Sequence, residues 1–227
     1  MLMLKTPYHT LVPRMESAPP HGGVWNRSPW QVVQEIRLTH HMGPHPDHFP
    51  RTAFKIAYTR DAVHIIFQVA DRYVRAMATG HQQSVCADSC VEFFFSPEPD
   101  ATIGYFNLEI NCGGTVLFHF HPKGTREEIE TIPKQACDRI VSAHTLPCIV
   151  DPEIETPITW SLSCAIPMDL LKGYAPVHRP APGVRWRANV YKCADKTSHP
   201  HWLTWSPVDF PRPNFHLPDF FGILEFE

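Results

Sequence analysis

Tyr105-Phe-Asn-Leu-Glu-Ile-Asn111 alternates without a break between apolar and hydrogen-bonding residues. A period of two is the signature of a half-buried strand, so Phe106, Leu108 and Ile110 face a core while Tyr105, Asn107, Glu109 and Asn111 face the other way. The same alternation recurs in Phe54/Ile56/Tyr58, Val63/Ile65/Phe67/Val69, Val91/Phe93/Phe95, Val116/Phe118/Phe120, Trp160/Leu162/Cys164/Ile166 and Trp186/Ala188/Val190. Many short strands divided by turn residues predict an all-β, antiparallel sandwich. Helix is expected to be scarce, one or two short pieces at most. The best candidate is Pro167-Met-Asp-Leu-Leu171, with proline in the first turn and Gly173 as the stop.

The 227 residues fit one domain over 1–227, with 1–24 as an N-terminal extension, and 43% hydrophobic against 19% charged residues is ordinary for a globular chain. The 24 prolines fall between the apolar runs and read as loop punctuation. A net charge of −3 without runs of like charge argues against nucleic acid or an anionic membrane as partner. No apolar run approaches the roughly 18 residues of a membrane span. Met1-Leu-Met-Leu-Lys-Thr-Pro-Tyr8 is too short in apolar residues for a signal sequence, which makes the cytoplasm the expected compartment; a start site further upstream would allow an extracellular or periplasmic one. The seven cysteines are odd in number and lack Cys-x-x-Cys spacing, so free thiols are expected, Cys86 and Cys90 forming the one close pair.

Two strands carry rows of polar side chains on their second face. One is Tyr105, Asn107, Glu109 and Asn111; the other, in Arg185-Trp-Arg-Ala-Asn-Val-Tyr191, is Arg185, Arg187, Asn189 and Tyr191. Amides, a carboxylate and an arginine fork on a rigid sheet suit sugar hydroxyls, which both donate and accept. The plainer expectation is a Glu109–Arg187 ion pair across the sheet. The C-terminal stretch, through His199-Pro-His-Trp202, Trp205-Ser-Pro207 and Asn214-Phe-His-Leu-Pro-Asp-Phe-Phe-Gly222, packs aromatic and polar residues between prolines and reads as a binding surface.

Asp88-Ser-Cys-Val-Glu-Phe-Phe-Phe95, Tyr105–Asn111, Asn189-Val-Tyr-Lys-Cys193 and the terminal Phe215-His-x-Pro-x-x-Phe-Gly222 together resemble the carbohydrate-binding family 9-like group, DOMON-like (immunoglobulin-like) sandwiches related to xylanase-attached sugar-binding modules. The resemblance runs from about Trp25 to Glu227. It implies a module that binds a mono- or oligosaccharide by aromatic stacking and polar side chains, in carbohydrate catabolism beside a separately encoded glycoside hydrolase. In the xylanase modules two tryptophans sandwich a sugar. Here the first falls at Cys86, and the second at Phe215. Glu92 matches an acidic ligand-binding position, and Asn107 and Glu109 fall where the module has Arg and Asn. The implied ligand-binding set is Glu92, Asn107, Glu109, Asn111, Arg187, Asn189, Tyr191, Lys192, Trp202, Phe215 and His216, with Trp205 as a further stacking candidate.

Other chemistry is weighed on the residues. The resemblance allows structural calcium, with Asp61, Asp71 or Asp88 as ligands; no motif calls for any other cofactor. His40–His48, His119/His121 and His199/His201 invite a metal without matching a zinc signature. DOMON relatives include haem domains, for which Met42 or Met77 with a histidine would be needed. Glycoside hydrolysis would use Asp88, Glu92 and Glu109 as carboxylates, with His216 or Lys192 as proton donor. No catalytic residue is assigned.

Overall fold

The computed structural model describes residues 8–19 and 24–227; residues 1–7, which carry most of the stretch weighed as a leader, lie outside them. The strands in chain order are β1 (His9–Val12), β2 (Ile36–Arg37), β3 (His40–His41), β4 (Arg51–Tyr58), β5 (Ala62–Asp71), β6 (Val74–Ala76), β7 (Cys90–Ser96) and β8 (Tyr105–Asn111). They continue as β9 (Val116–His121), β10 (Glu130–Thr131), β11 (Val141–His144), β12 (Val150–Ile154), β13 (Ile158–Pro167), β14 (Arg185–Cys193), β15 (Trp202–Thr204) and β16 (Gly222–Phe226). Among the described residues there are two single-turn α-helices, α1 (Lys134–Cys137) and α2 (Met168–Leu171). Pro167 sits at the N-cap of α2, because its fixed φ and missing N–H cost nothing there.

One sheet runs β1-β16-β14-β7-β8-β9-β10, with β15 also beside β14 and β3 beside β15; the second runs β11-β13-β5-β4-β2. The alternating residues of the two inner faces meet in a single core. Val91, Phe93, Phe95, Phe106, Leu108, Ile110, Phe118, Trp186 and Val190 from the first sheet join Phe54, Ile56, Ile65, Phe67, Trp160 and Leu162 from the second, all buried. Burying each large side chain contributes about 1.5–3 kcal/mol, so the period-two pattern is what fixes strand register.

The N-terminal boundary needs correcting. His9–Val12 was assigned to an extension, yet β1 is an edge strand paired in parallel with β16, the one parallel strand pair among the described residues. Met15, Trp25 and Trp30 then cover the outer face of the second sheet at Ala53, Ala57 and Ile66. There the Lys55 ammonium donates to the carbonyls of Trp25 (3.3 Å) and Trp30 (2.8 Å). A four-residue segment with two apolar positions is too short to announce itself by periodicity; its pairing comes from the sheet edge it covers.

Gly222 opens β16 where three chain segments crowd together. A Cβ there would lie 2.7 Å from the Tyr8 carbonyl oxygen and 2.9 Å from the Trp205 ring. Gly222→Ala is therefore expected to destabilise the protein by about 1–3 kcal/mol through overpacking, read as a lowered urea midpoint with unchanged m-value.

Candidate functional site

The outward face of the first sheet is polar where the sequence places it, but it is not open. β14 is flanked on one side by β16 opposite Arg185–Ala188 and then by β15 opposite Tyr191–Cys193. The chain between β15 and β16, residues 205–221, therefore leaves the sheet edge and folds back over the outward face. Its prolines 207, 211, 213 and 218 keep it from extending the sheet. Phe215 stacks on Tyr191 with ring centroids 4.0 Å apart and planes at 9°. The Tyr105 hydroxyl and His216 Nδ1 are hydrogen-bonded at 2.8 Å, which fixes the imidazole over the sheet.

Beneath this loop, β7 and β8 set Glu92 directly opposite Glu109. Both carboxyl groups are buried, 2% and 6% exposed. Burial, then the neighbouring Glu109 charge, pushes Glu92 well above the usual carboxylate range. Burial raises Glu109 to about 7, against the lowering effect of its bond from Asn107. Two carboxylates in register on adjacent strands cannot both ionise cheaply, so the pair holds a proton near neutrality. Asn107 Nδ2 donates to Glu109 at 2.9 Å, and its Oδ1 pairs with His121 Nε2 at 2.8 Å.

A group whose folded pKa is raised contributes stability below its unfolded pKa and loses it as pH rises through the folded value. For Glu109 that window runs from about 4.5 to about 7. Glu109→Gln, which cannot ionise, is expected to gain on the wild type across this window by on the order of a few kcal/mol; melting temperatures at pH 4.5, 6 and 8 check it.

The cleft above the pair has a volume of about 120 Å³ and is lined by Cys86, Glu92, Glu109, Arg126, Cys193, Asp195, Trp202, Pro213, Asn214, Phe215 and His216. Five expected ligand residues thus come together here: Glu92, Glu109, Trp202, Phe215 and His216. Tyr191 and Asn107 support them, Tyr191 under Phe215 with its hydroxyl on the Phe215 carbonyl (3.2 Å). Trp202 is half-buried, and its Nε1 donates to Asp195 Oδ1 at 2.8 Å, fixing the ring plane. A larger cleft, about 470 Å³, lies on the other sheet among Glu35, Arg37, Phe49, Arg51, Gln68 and Thr159. It lacks the facing carboxyls and the aromatic wall, so size alone does not decide the site.

Four expected ligand residues are employed otherwise. Lys192 points to the opposite face of β14, wholly buried, and donates to His201 Nε2 (2.7 Å) and the Cys193 carbonyl (3.0 Å) beside Asp71 (3.6 Å). The parity of the strand, with Tyr191 and Cys193 outward, requires this. Asn189 is bound in both directions to the Ser206 backbone, Nδ2 to the carbonyl at 3.0 Å and Oδ1 from the N–H at 2.9 Å. Asn111 donates to Ala78 and Asp88 and accepts from the Thr115 N–H. Arg187 donates to the Phe221 carbonyl rather than pairing with Glu109. These amides and the arginine pin the loop and the sheet ends by satisfying backbone groups there. Asn189→Ala is expected to cost about 1–3 kcal/mol of stability by stranding the buried Ser206 groups, measured by urea unfolding. Trp205 is likewise buried, edge-on to Phe54 at 5.9 Å.

Arg126, Asp195, Cys193 and Asn214 line the cleft but were not in the expected ligand set. Cys193 and Asp195 continue the 187-189-191 alternation by one and two steps, a signal the sequence carries. Arg126 arrives from an irregular loop and carries none. As proton donors, neither proposed group serves: Lys192 is behind the sheet, and His216 is held neutral, pushed down to about 3 by burial and then by Arg126.

Residues 25–226 match the family model for carbohydrate-binding family 9. The chain belongs to carbohydrate-binding family 9. Among solved structures, a Bacteroides uniformis protein described as a candidate carbohydrate-binding protein superposes with TM-score 0.86 at 30% identity, covering 98% of this chain and 100% of that one. Family 9 modules from Caldicellulosiruptor kristjanssonii, one in complex with glucose and one with cellotriose, superpose with TM-score 0.66 at 12% and 11% identity. Each covers 97% of this chain, which in turn covers 96% and 94% of them, and at that identity they show the fold alone. No curated protein sequence matches the chain.

The calcium ligands that family 9 membership suggested do not fit here. Asp88 accepts from the Met77 and Ala78 N–H groups and Asn111 Nδ2, and Asp71 is met by His48, the Arg72 N–H and Lys192. Asp88 Oδ2 already takes three protein donors, and Asp71 is paired with the buried Lys192 ammonium, so an ion would have to displace them. Asp61 is an exposed side chain 4.0 Å from Arg179. For a haem, Met77 is exposed and Met42 is packed in the apolar cluster beneath the loop.

Proposed function

We propose that this family 9 chain binds a saccharide end in the cleft over β7, β8 and the end of β14. One observation carries the reading: residues 205–221 and β15 bring an aromatic wall, Trp202 and Phe215, onto the same opening as the opposed carboxyls Glu92 and Glu109. A sugar ring offers an apolar face to stack and hydroxyls that donate and accept. Trp202 and Phe215 take the face. Glu92, Glu109, Asp195 and Asn214 take hydroxyl groups, and Arg126 and His216 supply donors at the rim. A cleft this small suits a terminal residue of a mono- or oligosaccharide better than the middle of a polymer. The glucose and cellotriose bound by modules of the same fold support that ligand class, and a separately encoded glycoside hydrolase is the partner such a module would serve.

A second reading comes from the opposed pair itself. Carboxyl groups about 5–5.5 Å apart are the retaining-glycosidase arrangement, and directly facing residues on neighbouring strands approach that spacing. One experiment separates the two. The purified chain is screened by thermal shift against mono- and oligosaccharides, since a ligand bound only by the native state at about 100 times its Kd adds about 2.7 kcal/mol; the stabilising mixture is then followed for hours. Stabilisation without new reducing ends supports binding, new reducing ends support hydrolysis, and no shift with any sugar overturns the saccharide site.

A further inference from the structure

The floor of the cleft holds a second arrangement, of which saccharide recognition uses only Glu92. Cys90 on β7 and Cys193 on β14 are direct partners across the ladder, and Glu92 lies one outward position along β7. The two Sγ atoms and a Glu92 carboxyl oxygen all lie within 4.8 Å of one another. All three side chains are at most 2% exposed.

Their present partners are weak. The Cys90 thiol faces the Val91 carbonyl at 3.6 Å, and the Cys193 thiol is shared between the Cys86 carbonyl at 3.7 Å and Glu92 Oε1 at 3.0 Å. The donor meeting a buried carboxyl group is thus a thiol, a poor one. A buried acid with so little compensation is costly unless a stronger partner arrives.

We propose that Cys90, Cys193 and Glu92 form a binding site for one zinc ion at the floor of the cleft. The donor set fits the ion: two thiolates select a soft or borderline metal, and the carboxylate suits zinc among these. Tetrahedral zinc with bonds of about 2.0–2.3 Å sets its donors roughly 3.3–3.8 Å apart, so small side-chain rotations close the set. Cys193 and Glu92 also line the cleft, which gives the ion a route from solvent and turns its fourth position toward the opening. Each thiol that ligates gives its proton to solvent, so affinity rises with pH. His121 and His201 are poorer competitors. Both nitrogens of His121 and both of His201 already have partners. The proposal does not rest on the saccharide reading, because the ligands converge whether or not a sugar binds above them.

The test uses the full chain, reduced and stripped with chelator, titrated with Zn²⁺ by calorimetry and with Co²⁺ by absorption. One equivalent should bind, and cobalt should show thiolate charge-transfer absorption together with the intense visible bands of a tetrahedral ion. Cys90→Ser and Cys193→Ser should each weaken zinc by at least roughly a hundredfold and Glu92→Gln by roughly tenfold, with exposed Cys148→Ser unchanged. The wild-type cobalt spectrum keeps the test valid if a buried serine variant fails to fold. Binding without thiolate charge transfer, binding unaltered in the Cys90→Ser/Cys193→Ser double variant, no stoichiometric binding, or a Cys90–Cys193 disulfide in the protein as isolated would each overturn it.

Discussion

Trp202→Ala is expected to weaken saccharide binding by about 2 kcal/mol or more, roughly thirtyfold. Trp202 is the half-buried ring of the cleft wall, whereas Phe215 is only 8% exposed and rests on Tyr191. Its Nε1 bond to Asp195 holds the indole in one orientation before any ligand arrives, so little conformational entropy is spent on binding. Truncation removes the stacking face and also the donor that offsets burial at Asp195, whose pKa is already raised by that burial. Trp202→Phe keeps a ring and loses the N–H, and should fall between the two. Titration calorimetry with the best saccharide from the thermal-shift screen measures all three proteins under one condition.

Lys192→Ala is expected to lower the unfolding free energy by about 3–5 kcal/mol, the largest stability effect of any single change considered. Its ammonium, the Asp71 carboxylate and the His201 ring form one buried network between the sheets, joined by His48 at 2.7 Å from Asp71. Removing the lysine leaves a buried carboxylate with one neutralising partner gone. Although burial would raise it, Lys192 and then His48 and His201 hold Asp71 well below the usual range. Lys192→Met with Asp71→Leu removes both charges and should recover much of the loss, so the cycle is strongly non-additive in urea unfolding. The network also sets an acid limb. Burial first, and Lys192 next, depress His201 to about 3. A histidine depressed from its unfolded value of about 6.5 supports the fold above that value and loses its contribution as pH falls toward 3. Asp71 adds to the loss at still lower pH. This limb runs opposite to that of Glu109, which weakens the fold as pH rises from about 4.5 to about 7.

Sandwich strands were legible because burial on one face enforces alternation, and each alternating run quoted from the sequence is a strand with its apolar set in the core. The edge strand His9–Val12 was not, since its placement depends on what the sheet leaves unpaired rather than on its own pattern. In the site, parity correctly put Glu92, Asn107 and Glu109 on one outward face. Parity alone could not show that the loop would come down over that face and claim Asn189 and Tyr191 as supports, because those bonds go to backbone groups of Ser206 and Phe215. Lys192 was misassigned although alternation argued against it: Tyr191 and Lys192 cannot share a face of one regular strand. Arg126 enters from an irregular segment, where no period exists to read.

The most direct test of the central claim is a calorimetric titration of the best saccharide into three proteins: the wild type, Trp202→Ala/Glu109→Gln in the cleft over β7 and β8, and Arg51→Ala/Gln68→Ala in the larger cleft on the opposite sheet. The account predicts that the first pair of changes abolishes measurable heat while the second leaves the Kd unchanged. Unaltered binding in the first double variant together with lost binding in the second would contradict it and move the saccharide to the other sheet.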